Sequence, residues 1–129
     1  MVMKILSKIK EKLPGLLDYI MFYNTGIVFQ STFPENTNVP AICTNLRDII
    51  RLFHKSLDCY EVSTNEYLKI IFETKKYIII ILKLGEDSNI ALFFDNEVVS
   101  DSTDVNIGSV QKYLNKLEEL IDMNKSELG

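Results

Sequence analysis

The sequence has few of the residues from which catalytic and cofactor sites are usually built. Its 129 residues include no tryptophan, two cysteines, five glycines and a single histidine. The glycines are dispersed along the chain, whereas phosphate-binding loops and dinucleotide fingerprints need several of them within one short turn. No convergent acid, base and nucleophile can be nominated. We therefore expect no enzyme, no catalytic residue, no cofactor and no metal ion.

The cysteines and the histidine do not combine into a reactive site. Cys43 and Cys59 would lie about 24 Å apart on one straight helix, too far for a disulfide. Cys43 and His54 would be about 16 Å apart on the same helix, which excludes a nucleophile–base pair within one protomer. His54 and Asp58 could supply two metal ligands, but nothing supplies the others. A surface histidine is the favoured interpretation.

The chain also lacks a strong net charge and a long apolar run. Its formal charge of −4 argues against a nucleic-acid partner, because phosphate neutralisation needs a concentrated basic surface. The apolar run Tyr77–Leu82 is far shorter than the roughly 20 residues of a membrane-spanning helix. Lys4, Lys8, Lys10 and Lys12 interrupt the apolar core that a secretory signal requires. We expect a cytoplasmic protein.

The run Tyr77–Leu82 is the strongest structural signal that is present. Its mostly β-branched residues leave no polar face, so it is predicted to be an interior strand covered on both sides. Asn24-Thr25-Gly26 supplies a turn between two apolar stretches and predicts a hairpin. Five strands are expected in all: 18–23, 27–33, 67–73, 77–84 and 90–95.

Three stretches have helical spacing of their apolar residues. Residues 2–13 are predicted to form a short, basic, amphipathic helix, and residues 40–60 give the clearest helical signal of the chain. A polar, acidic loop over residues 96–106 leads to a last helix. The main apolar face of the middle helix is predicted to be Ile42, Leu46, Ile49, Phe53 and Leu57, and that of the last helix Val110, Tyr113, Leu114, Leu117, Leu120 and Ile121.

These elements predict one α+β domain over residues 1–129, in the order α-ββ-α-βββ-α. Tight turns make neighbours of strands 1 and 2, 3 and 4, and 4 and 5. Strands 2 and 3 carry polar interruptions and belong at the edges, so the antiparallel sheet has the order 2-1-5-4-3. The middle helix crosses one face, and the N- and C-terminal helices cover the other.

Four features of this arrangement can be compared with known domains: the Asn24-Thr25-Gly26 hairpin with Ile27-Val28, the helix 41–60, the meander through Ile78-Ile79-Ile80 and Ile90-Ala91-Leu92, and Gly108 opening the final helix. In these features the chain resembles the Roadblock domain, the dynein light-chain type of the Roadblock/longin superfamily. The likeness covers almost the whole chain. Longin domains typically begin on the first strand, so the helix at residues 2–13 favours the Roadblock type.

The resemblance implies a non-enzymatic dimeric scaffold that binds a small Ras-like GTPase, or an adaptor subunit, partnered by itself or by a related Roadblock subunit. In that family two protomers join their third strands, and their middle helices pack side by side. The third strand here has no proline and only one internal charge, Lys69, so it is poorly protected against pairing with another chain. The alternative is a monomer in which a loop covers this edge. The dimer interface is accordingly predicted to contain Asn45, Leu52, Ser56, Cys59, Leu68, Ile70 and Phe72.

Two basic features leave further alternatives open. The middle helix carries three basic residues at four-residue spacing, Arg47, Arg51 and Lys55. They are either a solvated face of the helix or a docking stripe for an acidic partner. The basic helix at residues 2–13 either packs on the sheet, which we favour, or adheres to an anionic membrane. Peripheral membrane association, as in a longin-like trafficking module, is therefore the alternative function.

Overall fold

The computed structural model describes residues 15–60 and 66–101. They form five strands and two helices: β1 Leu16–Tyr23, β2 Val28–Ser31, α1 Val39–Tyr60, β3 Lys69–Glu73, β4 Tyr77–Lys83, β5 Ser88–Asp95 and α2 Asn96–Asp101. The helices predicted at residues 2–13 and after residue 106 lie outside the described residues.

The sheet has the predicted order β2-β1-β5-β4-β3, and every neighbouring pair is antiparallel. β1 and β5 begin two residues earlier than predicted because Tyr23 pairs with Ser88 and Leu16 with Phe94. β2 ends at Ser31, two residues early, because the Thr32 side chain replaces a main-chain partner. Its hydroxyl oxygen accepts the N–H of Tyr19 at 2.9 Å.

The predicted hairpin between β1 and β2 turns on Gly26. The Gly26 N–H donates to the Tyr23 carbonyl at 2.8 Å, and Gly26 has a φ of 92°. Side chains rarely adopt this left-handed conformation. A Cβ at this position would also meet Arg47 Cδ at 3.4 Å, so the turn and α1 pack closely together here.

Helix α1 begins at Val39, where the Asn38 side-chain oxygen accepts the N–H of Ala41 at 3.2 Å and caps the first turn. The predicted apolar face was partly wrong. Ile49 and Phe53 are 36% and 41% exposed. The side chains buried against the sheet are instead Val39, Cys43, Leu46 and Ile50.

This buried stripe is rotated about 50° from the predicted one, at 100° of helix turn per residue. Its members share a core cluster with Ile20, Ile81 and Ala91 from the middle of the sheet. Two of these residues, Cys43 and Ala91, are small and fully buried. Larger side chains at the centre of the contact would hold the helix farther from the sheet.

The isoleucine run lies in β4, between β5 and β3, as predicted. Ile79 and Ile81 face α1, and their neighbours in the strand face the opposite side. Ile81 and Leu82 are buried, whereas residues 78–80 are only half-buried, so the prediction of complete cover holds for one end of the run. β3 is the last strand of the sheet on that side.

The opposite face of the sheet is also buried near its centre, where Met21, Ile90 and Leu92 have no exposed surface. The two helices predicted to cover this face belong to the segments outside the described residues. Among the described helices, none is both long and apolar enough to cross a membrane.

The prediction of a loop over residues 96–106 was wrong at its start, because Asn96–Asp101 form the short helix α2. Asp95 caps it, because its carboxylate accepts the N–H groups of Glu97 and Val98 at 2.9 and 3.3 Å. The Asn96 amide donates to the Thr74 carbonyl at 2.6 Å and ties the helix to the β3–β4 turn. Asp95 therefore serves as a helix cap.

Candidate functional site

The first candidate surface lies around the outer strand β3. On β3 and just before it, Ile71 and Leu68 are 55% and 79% exposed, and on the second half of α1 Leu52 and Tyr60 are 61% and 85% exposed. We refer to these four residues as the edge surface. No residue of α1 after Ile50 is buried. Large apolar side chains with this much exposure on both the outer strand and the helix make the edge surface a candidate interface.

The main chain of β3 presents alternate residues to its two sides. The Lys83 N–H donates to the Leu68 carbonyl, and the Thr74 N–H donates to the Tyr77 carbonyl. Antiparallel pairing alternates along the strand, so the main-chain groups of Ile70 and Phe72 face β4. Those of Ile71 and Glu73 face away from it, toward the open side of the sheet.

The predicted interface residues occupy different environments. The four on α1, Asn45, Leu52, Ser56 and Cys59, are all exposed, and so is Leu68. Ile70 and Phe72 are half-buried and pack against the core cluster beneath α1. Ile71 was not predicted, although strand alternation places it on the face opposite Ile70. The composition of the interface stays a prediction.

The second candidate is a cleft of about 210 Å³ between α1 and one end of the sheet. We call it the basic cleft. Its ionisable side chains are Arg47, Arg51 and His54 from α1, Lys83 from the end of β4, and Glu66 just before β3. Two predicted docking residues, Arg47 and Arg51, thus come together here with three residues that were not predicted as a site.

Arg47 is held in place at the cleft. Its Nη1 donates to the Thr25 carbonyl at 3.0 Å, and its Nε and Nη2 donate to the Asp48 carboxylate at 3.1 and 3.0 Å. Arg51 is exposed, and Lys55 is exposed without lining the cleft. The predicted stripe therefore has one anchoring residue, one residue at the mouth of the cleft and one beyond it.

His54 is a half-buried hydrogen-bond acceptor, and its interpretation as a surface histidine was wrong. Its Nε2 accepts the main-chain N–H of Tyr67 at 3.1 Å. A neutral imidazole has one donor and one acceptor nitrogen, so its proton lies on Nδ1. The rings of His54 and Tyr67 lie 6.1 Å apart. His54 thereby connects α1 to the residues that lead into β3.

The floor of the cleft is a hydrogen-bonded network centred on Asn89, which has no exposed surface. Its side-chain oxygen accepts the Tyr67 hydroxyl at 2.5 Å. Its amide donates to the Phe22 carbonyl at 3.3 Å and to the Asn24 side-chain oxygen at 2.9 Å. Lys83 Nζ donates to that same Asn24 oxygen at 3.0 Å. Sequence reasoning missed Asn89 because a polar residue before an apolar run resembles a turn.

The cysteines differ sharply in their surroundings. Cys43 is fully buried, and burial raises the pKa of its thiol to about 11, whereas Cys59 is exposed. Cys43 is therefore protonated at neutral pH, and a thiol is a poor nucleophile. Within residues 15–60 and 66–101, no three His, Cys, Asp or Glu side chains cluster in a way that could hold a metal ion.

No protein-family model matches the sequence, and no curated protein is similar to it in sequence. Solved structures are similar to it in fold. MglB of Myxococcus xanthus superimposes with a TM-score of 0.74 at 12% identity, over 97% of this chain and 95% of that one. An MglB with a tetrameric arrangement gives 0.75 at 11% identity, over 99% and 90%.

A Roadblock/LC7 domain from Streptomyces avermitilis gives a TM-score of 0.73 at 8% identity, over 95% of this chain and 96% of that one. Identities this low establish the fold and nothing finer. Together with the strand order 2-1-5-4-3 and the helix packed on one face, they confirm that the chain has the Roadblock/LC7 fold.

Proposed function

We propose that this protein is a non-enzymatic scaffold of the cytoplasm that dimerises through the edge surface and binds a small Ras-like GTPase or serves as an adaptor subunit. The partner in the dimer is a second copy or a related Roadblock subunit. The observation that carries the proposal is the edge surface itself, four large apolar side chains that are each more than half exposed, two on or beside β3 and two on the second half of α1.

The geometry of β3 supports pairing with another chain. Its outward main-chain groups at Ile71 and Glu73 can continue the sheet, and it has neither a proline nor a bulge to prevent this. Exposed side chains on β3 and α1 would then be covered together. A stable dimer of this kind should bury about 1,200 Å² or more in total. The tetrameric arrangement of one MglB is consistent with self-association of the fold.

The GTPase partner is inferred from the Roadblock resemblance and the shared fold. A scaffold needs accessible surfaces and no reactive centre, and the buried, protonated Cys43 offers no nucleophile. Around α1, the cleft residues Arg47, Arg51 and His54 occupy different positions from Leu52, so the helix offers a second surface to a partner beside its dimer contact.

The first part of the test is the mass in solution. Light scattering should give about twice the 14.9 kDa chain mass for the wild type, and Leu52→Glu should give the monomer because it places a charge in an apolar contact. Lys55→Glu, an exposed change on the same helix, is the control and should stay dimeric. A wild-type mass equal to one chain at micromolar concentration would exclude the homodimer.

The second part tests the GTPase. Immobilised wild-type protein should retain a purified Ras-like GTPase, and retention should differ between the GDP-bound form and the form bound to a non-hydrolysable GTP analogue. Leu52→Glu should reduce retention if the dimer is the binding unit. Equal, negligible retention of every GTPase in both nucleotide states would leave the adaptor role and reject the GTPase role.

A further inference from the structure

We propose that the basic cleft binds a carboxylate side chain from an acidic segment of a partner protein, with Arg51 and Lys83 as the contacting cations. The cleft is lined by three cations, Arg47, Arg51 and Lys83, and by one carboxylate, that of Glu66. Arg47 is also paired with Asp48, so these five groups carry a net charge of +1. In a chain whose formal charge is −4, this local excess of positive charge is the exception. It would attract an anionic group to this end of the sheet.

Lys83 is the least exposed cation of the cleft. Its side chain is only 12% exposed, and its ammonium group lies 3.8 Å from the carboxylate of Glu66. That separation is longer than a charge-assisted hydrogen bond, which spans about 2.7–2.9 Å. The Glu66 side chain is itself 53% exposed. A carboxylate thus already fits beside Lys83, in a loose pair that an incoming carboxylate could replace.

Arg51 is the cation available at the mouth of the cleft. Arg47 has all three of its donor nitrogens engaged with Asp48 and Thr25. Arg51 is exposed, and no ion pair joins it to another residue of the described part of the chain. Its guanidinium can therefore form a two-bond contact with a carboxylate without breaking an internal ion pair.

The donor set fits a carboxylate better than a phosphate. Phosphate sites typically use main-chain N–H groups at a helix N-terminus or in a glycine-rich turn. Arg51 lies in the interior of the 22-residue helix α1, and the cations of the cleft are all side chains. Glu66 would also repel a doubly charged phosphate more strongly than a singly charged carboxylate.

The charge pattern favours a protein segment over a small free acid. Lys55 follows Arg51 by one helical turn and extends the positive charge beyond the cleft. A single small acid cannot contact both places. A segment with neighbouring acidic residues can place one carboxylate in the cleft and another near Lys55.

The probe is a tetraglutamate peptide with capped ends, titrated into the wild-type protein by calorimetry, with NMR of the Arg51 side-chain N–H. It should bind, shift the Arg51 resonance and weaken as salt is added. A capped tetraglutamine peptide should not bind. N-acetylglutamate and inorganic phosphate should each bind about tenfold more weakly, as expected for loss of one charged contact.

Three variants locate the binding. Arg51→Ala should weaken tetraglutamate about tenfold, and Glu66→Gln should strengthen it about threefold because it removes the competing carboxylate. Lys75→Ala, at an exposed lysine of the β3–β4 turn, removes one positive charge as Arg51→Ala does, but away from the cleft. It should not change the affinity for tetraglutamate. All three positions are exposed, so folding should be preserved.

Several results would overturn the proposal. An equal loss with Lys75→Ala would indicate diffuse charge attraction. Phosphate or N-acetylglutamate binding as tightly as the peptide would assign the cleft to a small anion. Absence of tetraglutamate binding at millimolar concentration, or an unmoved Arg51 resonance, would reject the site. None of these results depends on dimerisation or on a GTPase, so the scaffold function is tested separately.

Discussion

Asn89 shows how a single buried amide can fix several elements at once. It lies at the start of β5, yet its side chain bonds to Tyr67 before β3, to the main chain of Phe22 in β1 and to Asn24 in the first turn. Among the described side chains, no buried nitrogen or oxygen lacks a hydrogen-bond partner. A buried network in which every polar group is satisfied specifies one arrangement, because alternatives would leave groups unpaired.

Replacement of Asn89 by leucine should therefore be costly. Asn89→Leu removes the hydrogen bonds to the buried Tyr67 hydroxyl, to the Phe22 carbonyl and to the Asn24 oxygen, which keeps only its bond from Lys83 among those described. We expect the free energy of unfolding to fall by about 3 kcal/mol, measured by urea denaturation at fixed protein concentration. Asn36→Leu, the same change in the exposed loop before α1, should stay within about 0.5 kcal/mol. Equal effects at both positions would contradict a structural role for the network.

At the scale of elements, β3 and α1 are linked by His54 and together form the edge surface. The bond from the Tyr67 N–H to His54 fixes where the chain enters β3. β3 is thereby held as an outer strand whose two sides differ. Ile70 and Phe72 serve this chain's own core, and Ile71 faces away from α1 with an exposed side chain.

This alternation predicts different results for proline at neighbouring positions. Ile71→Pro removes an N–H that faces away from β4, so it should produce a folded monomer. Ile70→Pro removes an N–H that bonds to β4 and disturbs a half-buried side chain. It should lower the free energy of unfolding by about 3 kcal/mol.

Light scattering and urea denaturation of the two variants measure mass and stability separately. Ile71→Val, which retains both the N–H and an apolar side chain, is the control and should remain dimeric. A folded, dimeric Ile71→Pro would show that β3 does not pair across the interface, even if the protein dimerises by another surface.

At the scale of the whole molecule, two roles are possible for the helix predicted at residues 2–13, which lie outside the described residues. The central residues of the sheet face opposite α1, such as Met21 and Leu92, are fully buried. Packing of the amphipathic N-terminal helix on the sheet remains our favoured prediction. The alternative is adhesion to an anionic membrane, as in a longin-like trafficking module.

Removal of residues 1–13 distinguishes these two roles. If the segment packs on the sheet, the shortened protein should lose about 3 kcal/mol or more of stability, as expected when several apolar contacts are deleted. Lys4→Gln combined with Lys8→Gln is the matched variant, because it removes charge and leaves the apolar stripe intact. The membrane role would instead be favoured if the shortened protein were fully stable and if both it and the double lysine variant no longer bound vesicles of anionic lipid.

The sequence alone determined the strand order, both outer strands and the middle helix. These follow from the alternation of apolar residues, the Asn24-Thr25-Gly26 turn and the continuous run in β4, which are all local patterns. It could not determine the start of α2, because the capping role of Asp95 depends on where β5 ends. The rotation of α1 likewise depends on which side chains, Cys43 and Ala91 among them, are small enough to pack closely.

Only the tertiary structure decided the candidate sites. Tyr67 and Asn89 are 22 residues apart, and Asn24 and Lys83 are 59 residues apart, yet they form one network beneath the basic cleft. No local sequence pattern predicts contacts between residues so far apart, because these contacts form only when the sheet brings distant turns to the same end. For the same reason, the spacing of Arg47 and Arg51 predicted a stripe, and only packing showed that it borders a cleft.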